Sequence, residues 1–456
     1  MMSALNRLRY LPQANDVYTM AYATIDAFNQ GNKMTILHFK RHIAETSEIF
    51  SLNYLIKWSL LAIIIGIVTG SASAFFLTSL DWVTNWRENH LWIIALLPLG
   101  GLAIGLMYHY FGESVVKGNN LLLEELHKPK QIIPFRMAPL VLFGTLATHL
   151  FGGSAGREGT AVQMGGAIAD QFSRFFKLSG SDRQIILIMG ISAGFASVFG
   201  TPLAGAIFAL EVMVIKGYKH KAILPSLLVA IVAHYTCLAW HVSHAHYSIS
   251  LIPKITVQNI ILTIVCGIAF GLVAMLFSKL MHFYSSLFKS FITYAPLRPL
   301  IGGFFIVGAV WFLGTTKYIG LGLPTITAAF TDDLPQYDFL LKLILTTFTL
   351  GAGFKGGEVT PLFFIGATLG NALFLVVPLP LALLAGMGFV AVFSGATNTP
   401  VACTIMGIEL FGPECGIYIG VACFTAYFCS GPSGIYSSQI IGGLKSLTYT
   451  KRKDRE

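Results

Sequence analysis

Gly156-Arg157-Glu158-Gly159-Thr160 recurs two hundred residues later as Gly356-Gly357-Glu358-Val359-Thr360, each copy following a glycine-rich stretch and opening an apolar one. The same offset pairs Leu140 with Leu340, Leu150 with Leu350, Gly153 with Gly353, Gly166 with Gly366 and Ala167 with Ala367. A second block, offset by 198, aligns Gly190, Ala193, Phe195, Thr201, Pro202, Ala204, Ile207 and Glu211 with Gly388, Ala391, Phe393, Thr399, Pro400, Ala402, Ile405 and Glu409. Two blocks in register mark an internal duplication. Where apolar segments are interrupted at matching places in two halves, those places point to the substrate site of a transporter.

The surroundings are those of a membrane protein. Of 456 residues, 55% are hydrophobic and 11% charged, against roughly 25% charged in soluble domains. Residues 58 to 80 include an uncharged run long enough to cross a hydrocarbon core, which takes about 20 residues of helix. Further apolar stretches are variously too short for one span or too long, and the 46 glycines and 18 prolines fall in or beside them. Broken and tilted helices are therefore expected.

The predicted organisation is a polar leader over 1–50, a first membrane repeat over 51–245 and a second, inverted repeat over 250–450, with no soluble domain after the last span. No compact apolar region marks a cleavable signal peptide in the leader. Met34 is an equally good start, so residues 1–33 are either a disordered leader or precede the true beginning. Lys40, Arg41 and Lys57 before the first span, and Lys451, Arg452, Lys453 and Arg455 after the last, predict cytoplasmic termini. The net charge of +9 comes largely from membrane-flanking loops and the two ends, and so argues against a nucleic-acid surface. The six cysteines lack zinc-site spacing and read as small core residues. His241, His244 and His246 have a spacing that a metal on a turn could use, but no acidic or cysteine partner is nearby, and a solvated loop explains them better.

The duplicated motif has a definite chemistry. Glycines let a ligand approach the main chain, and the following helix start offers free N–H groups at the positive end of a dipole. A carboxylate on this loop competes with a bound anion until it is protonated. Glu158 is thus a candidate movable gate coupling anion and proton transfer; a local ion pair with Arg157 is the bland alternative. Gly118-Asn119-Asn120 precedes another candidate helix, where the amides supply donors for a small, strongly hydrated anion or simply form an N-cap. Tyr436, in the Gly431–Ser437 stretch, either faces an ion or anchors at an interface.

These residues resemble the CLC chloride channels and proton-coupled anion antiporters, over nearly the whole chain from about residue 50. Gly156-Arg157-Glu158-Gly159 resembles the family's gating-glutamate motif, and Gly118-Asn119-Asn120 stands where most members have Gly-Ser-Gly. Thr201-Pro202-Leu203-Ala204-Gly205 through Glu211 resembles the helix after the first-half core. Gly356 through Pro361, with Val359 and Thr360, resembles the second-half anion-binding start, and Tyr436 its central tyrosine. Asn119, Thr160, and the pair Glu358 and Thr360 depart from chloride-handling members and resemble the fluoride-exporting branch, which exchanges fluoride for protons.

The resemblance implies an all-α integral membrane fold with a CLC-type inverted repeat, multi-pass in the plasma membrane, and a homodimer with one pathway per subunit. It implies a secondary transporter rather than an enzyme, with fluoride, protons and lipid as partners and no cofactor or metal. Val212 occupies the place of an internal proton-accepting glutamate, next to Glu211, so Glu358 is expected to serve coupling or the ion instead. A chloride channel or chloride/proton antiporter of the same fold is the alternative. A different class, an intramembrane serine protease using Ser154 or Ser433 with His149 or His234, leaves the duplicated glutamates unexplained.

Overall fold

The computed structural model describes residues 51–178, 180–212, 219–245, 247–432, 434–440 and Lys445. The leader over 1–50, His246, Ser433 and the basic residues 451–455 lie outside the described residues. Two compact units are distinguished, Met1–Leu61 and Ala62–Glu456. Of the first, the described part is only the opening of the first helix; the second carries the remaining helices and the repeated motifs.

The described residues are helical, without a strand, as the expected all-α fold requires. Eight helices precede the junction near residue 250: α1 (Leu52–Asn89), α2 (Leu97–Phe111), α3 (Asn119–His127), α4 (Met137–Leu150), α5 (Glu158–Phe175), α6 (Ser181–Phe199), α7 (Pro202–Glu211) and α8 (Lys219–Ala239). Eight come after it: α9 (Val257–Phe291), α10 (Leu297–Leu313), α11 (Leu323–Ala328), α12 (Asp338–Gly351), α13 (Val359–Leu373), α14 (Leu381–Thr397), α15 (Pro400–Phe411) and α16 (Gly416–Cys429). The two series correspond in order, a long helix leading each. At 1.5 Å per residue, the 38 residues of α1 extend about 57 Å, well beyond a hydrocarbon core of about 30 Å. Such a helix tilts or projects. Others, such as the 10-residue α7, are too short to span. Five helices among the described residues are long and apolar enough to cross a membrane.

Close crossings fall at matching places. A Cβ built on Gly165 lies 2.3 Å from the Gly190 carbonyl oxygen, and one on Gly366 lies 2.0 Å from that of Gly388. Small residues here let α5 meet α6, and α13 meet α14, backbone to backbone, the means by which helices associate where apolar burial alone supplies no drive.

The halves exchange partners reciprocally. Glu211 at the end of α7 accepts the Val401 and Ala402 N–H groups at 3.0 and 2.7 Å, while Glu409 near the end of α15 accepts those of Leu203 and Ala204 at 3.0 and 2.8 Å. Each short helix starts with proline, and neither Thr201 nor Thr399 caps it with its side chain. A carboxylate from the opposite repeat therefore satisfies the free N–H groups and complements the helix dipole. This accounts for the duplicated Glu211 and Glu409. The motif loops cross likewise: Gly156 N–H donates to the Gly357 carbonyl at 2.6 Å and Gly357 N–H to the Gly156 carbonyl at 2.7 Å, an antiparallel bridge between the repeated pentapeptides.

Candidate functional site

The antiparallel bridge sets the gating candidate against the other repeat's helix. Glu158 begins α5, but its carboxylate is not confined to its own helix start, as the sequence suggested; both its oxygens reach the other repeat's helix. One oxygen accepts the Thr360 backbone N–H at 3.0 Å and the other the Thr360 hydroxyl at 2.5 Å. Thr360 lies in the first turn of α13, where free N–H groups and the dipole favour an anion. The carboxylate thus occupies an anion position, and the helix start belongs to the repeat carrying Glu358. The reversal follows from the Gly156–Gly357 crossing, which lays each loop over the opposite helix start.

The bland alternative coexists with this arrangement. Arg157 Nε is 3.6 Å from Glu158 Oε1, and the Arg157 N–H reaches Glu158 Oε2 at 3.2 Å. Glu158 is 1% exposed and Thr360 2%, so this carboxylate is sequestered from solvent inside the protein. The hydroxyl of Thr160 is engaged elsewhere, with Thr145 at 2.7 Å.

Two different hollows flank the motif. Glu158, Arg157 and Thr360 line a small one of about 30 Å³ with His244, Tyr247 and Phe363. Glu358, Asn119 and Tyr436 line another of about 260 Å³, together with Gly118, Asn120 and Gln163. The sequence-predicted residues therefore converge from four parts of the chain. Gly159 sits between them: a Cβ there would come 3.1 Å from Asn119 Nδ2 and 3.2 Å from Glu358 Oε2. Within the described residues, Asn119 Oδ1, Glu358 Oε2 and Arg157 Nε are buried without a hydrogen-bond partner. Buried polar atoms are rarely left so, and each such atom calls for a donor, acceptor or ion.

The amides at the start of α3 play unequal parts. Gly118 precedes the helix with φ 57° and ψ −127°, a conformation that excludes most side chains, and no side-chain cap forms. Asn119 points at the Glu358 hollow. Asn120 Oδ1 accepts the Ser438 N–H at 3.0 Å and so ties down the segment bearing Tyr436, making it a positioning residue. That segment is irregular over 434–440, and Tyr436 is buried rather than interfacial. Val359 is buried at the head of α13.

Sequence reasoning missed Gln163 and Lys355, both of which line the Asn119–Glu358–Tyr436 hollow. Gln163 had a signal: it is an amide one turn after Thr160, between apolar and small residues over Ala161–Ala169. Val212 contributes no titratable group, and its neighbour Glu211 is held by the start of α15.

Among the described residues the protease candidates Ser154, His149 and His234 do not assemble, and Ser433 lies outside them. The Ser154 hydroxyl lies 2.8 Å from both the Tyr318 carbonyl and the Thr346 hydroxyl, while His149 spans the Thr145 and Ala155 carbonyls. His234 stacks on His244, their ring centres 5.8 Å apart. Of the junction histidines, His246 lies outside the described residues.

The architecture has known counterparts. The model of the voltage gated chloride channel family matches residues 100–431. A chloride/fluoride channel protein of Pseudomonas syringae pv. tomato is 52% identical over 400 residues, covering 86% of this chain and 88% of that one. The crystal structure of a CLC-type fluoride/proton antiporter superposes with a TM-score of 0.82 at 36% identity, over 85% of this chain and 99% of that one. A slow cyanobacterial Cl⁻/H⁺ antiporter matches with a TM-score of 0.71 at 21% identity, over 87% and 99% of the two chains, a likeness of fold. The repeated carboxylate motif, the helix order and these matches agree: this integral membrane chain belongs to the voltage gated chloride channel, or CLC, family.

Proposed function

We propose that the protein is a secondary transporter that exports fluoride from the cytoplasm in exchange for protons, with Glu158 as the movable gate. The observation that carries this reading is the Glu158 carboxylate seated on the Thr360 N–H and hydroxyl. An ionised Glu158 fills the anion position. A proton from outside neutralises it and weakens its hold on the helix start, so that an anion from the Asn119–Glu358 hollow takes its place. Returning to the site, Glu158 releases its proton inward and displaces the anion. Gly156, Arg157 and Gly159 shape the loop that lets this side chain move, and Val359 and Thr360 furnish the helix start.

Three features favour fluoride. Asn119 offers N–H donors to an ion whose tight hydration shell must be replaced by strong hydrogen bonds. Glu358, with one oxygen unpartnered in the chamber that Asn119 also lines, is a second titratable group and takes the coupling role for which Val212 is unsuited. The relatives named for fluoride match at 52% and 36% identity. Both termini face the cytoplasm, the membrane is a bacterial inner membrane, and the working unit is a homodimer with a pathway per subunit. The inverted halves give the two-sided access that antiport needs.

The substitution Asn119→Ser tests selectivity. Removing the amide donors is expected to lower the ratio of fluoride to chloride flux in liposomes roughly tenfold, the equivalent of about one to two hydrogen bonds of net strength. An unchanged ratio, or strong chloride transport by the unmodified protein, contradicts the fluoride assignment.

A further inference from the structure

Lys355 sits in the Phe354-Lys355-Gly356 turn between α12 and α13, two residues before the bridging Gly357. Its stem lies against Gly144 of α4, where an added Cβ would come within 3.0 Å of Lys355 Cβ and 3.1 Å of its Cγ. Its ammonium lies 4.1 Å from the centre of the Tyr108 ring on α2. Among the described residues, no carboxylate stands within ion-pair distance of it and no protein acceptor takes its protons. A cation held over an aromatic face still has N–H donors to give.

The residue stands on a wall shared by two hollows. One is the chamber of about 260 Å³ lined by Asn119, Glu358 and Tyr436. The other is wider, about 650 Å³, and carries Lys117, Lys289, Arg298 and Lys355 against Glu113 and Glu124. Two of these cations are already committed. Lys117 pairs with Glu124 at 2.8 Å, and Arg298 donates to the Ile292 and Thr293 carbonyls. Lys289 and Lys355 remain, and both line both hollows, as does Ser285, one turn before Lys289 on α9.

We propose that Lys355, with Lys289 and Ser285, forms an anion-capture site between the wide basic hollow and the selective chamber. A small hydrated halide is drawn to the Lys355 ammonium, hydrogen-bonded there, and handed on towards Asn119. The position also answers an electrostatic difficulty: Glu358 lines the same chamber, and an ionised carboxylate there would repel an arriving anion. A fixed positive charge at the entrance offsets it. Tyr108 and Gly144 are positioning residues, the ring holding the ammonium and the glycine leaving room for the stem. The inference rests on the chain being an anion transporter, and not on fluoride or proton coupling.

The test reads anion flux from proteoliposomes against internal fluoride, and separately chloride, concentration. Lys355→Met is expected to raise the half-saturating concentration roughly tenfold, the size of a lost unit charge near the solvent-screened limit. The maximal rate and the proton-to-anion ratio should stay within about twofold, and Lys355→Arg should stay near the unmodified protein. Lys355→Cys should behave as Lys355→Met, recover when 2-aminoethyl methanethiosulfonate restores an ammonium, and stay impaired after methyl methanethiosulfonate. If Lys355→Met does not fold, Lys355→Cys before and after each reagent supplies the comparison within one preparation. Half-saturation unchanged by loss of the charge, or recovery with the uncharged reagent, overturns the capture site. A protein that carries chloride without proton coupling defeats the fluoride/proton reading, while the chloride half-saturation still decides the role of Lys355.

Discussion

Replacing Glu158 with Gln is expected to reduce proton movement linked to anion flux at least about 100-fold, since positioned proton-transfer groups are worth roughly 10²–10⁴. The change is nearly isosteric. A carboxamide keeps the shape that reaches Thr360 and can still accept the Thr360 N–H through its oxygen. Its NH₂ group, however, meets the Thr360 hydroxyl as a donor, whereas the carboxylate oxygen there accepts at 2.5 Å. Above all, it has no proton to carry. Any residual anion flux should be uncoupled, read as anion release without a pH change in the bath. Coupled transport at the original ratio would remove Glu158 from the mechanism. Glu358 would then be the only remaining carboxylate of the repeated motif able to serve.

Replacing Arg183 with Ala is expected to destabilise the protein by about 3–5 kcal/mol, the usual result of deleting one partner of a buried ionic cluster. Arg183, near the start of α6, holds Asp170 of α5 through two bonds, at 2.9 and 2.8 Å, and Glu125 of α3 at 3.1 Å. Asp170 is fully buried and also accepts the Ile133 N–H, while Glu125 accepts those of Lys130 and Gln131. Removing the guanidinium leaves two buried carboxylates without their cation. The loss reaches the site as well, because α3 begins with Asn119 and Asn120. A lowered thermal midpoint in detergent, with fluoride selectivity weakened in whatever protein remains folded, is the expected pair of results. Lys at this position should recover only part of the stability, since an ammonium lacks the planar fork that binds Asp170. A midpoint unchanged in the Ala variant contradicts this account of the cluster.

The fold class and the cast of the site were legible because they leave marks along the chain. The duplicated pentapeptide singled out Glu158 and Glu358, and the paired amides singled out Asn119. What could not be read was which surface each residue meets. Glu211 and Glu409 align at an offset of 198, yet nothing in spacing says that each serves the other's helix. The same holds for Glu158, whose carboxylate crosses to a residue 202 positions away. Contacts over such separations depend on how the repeats cross, and that is set by close backbone approach at Gly156 and Gly357 rather than by any periodic pattern. Asn120 shows the converse. Its type suited an ion, but its oxygen is taken by Ser438. Lys355 carries no mark along the chain, and only the Tyr108 ring and the two hollows give it its surroundings.

The most direct test of the central claim is fluoride efflux from proteoliposomes recorded together with the pH of the bath. Valinomycin lets potassium leave to balance charge, and protein-free liposomes correct for passage of neutral hydrogen fluoride. Fluoride/proton antiport predicts that fluoride release and bath alkalinisation start together, keep a fixed ratio, and that proton movement is lost in Glu158→Gln. Fluoride release with no pH change beyond that of protein-free liposomes would contradict it.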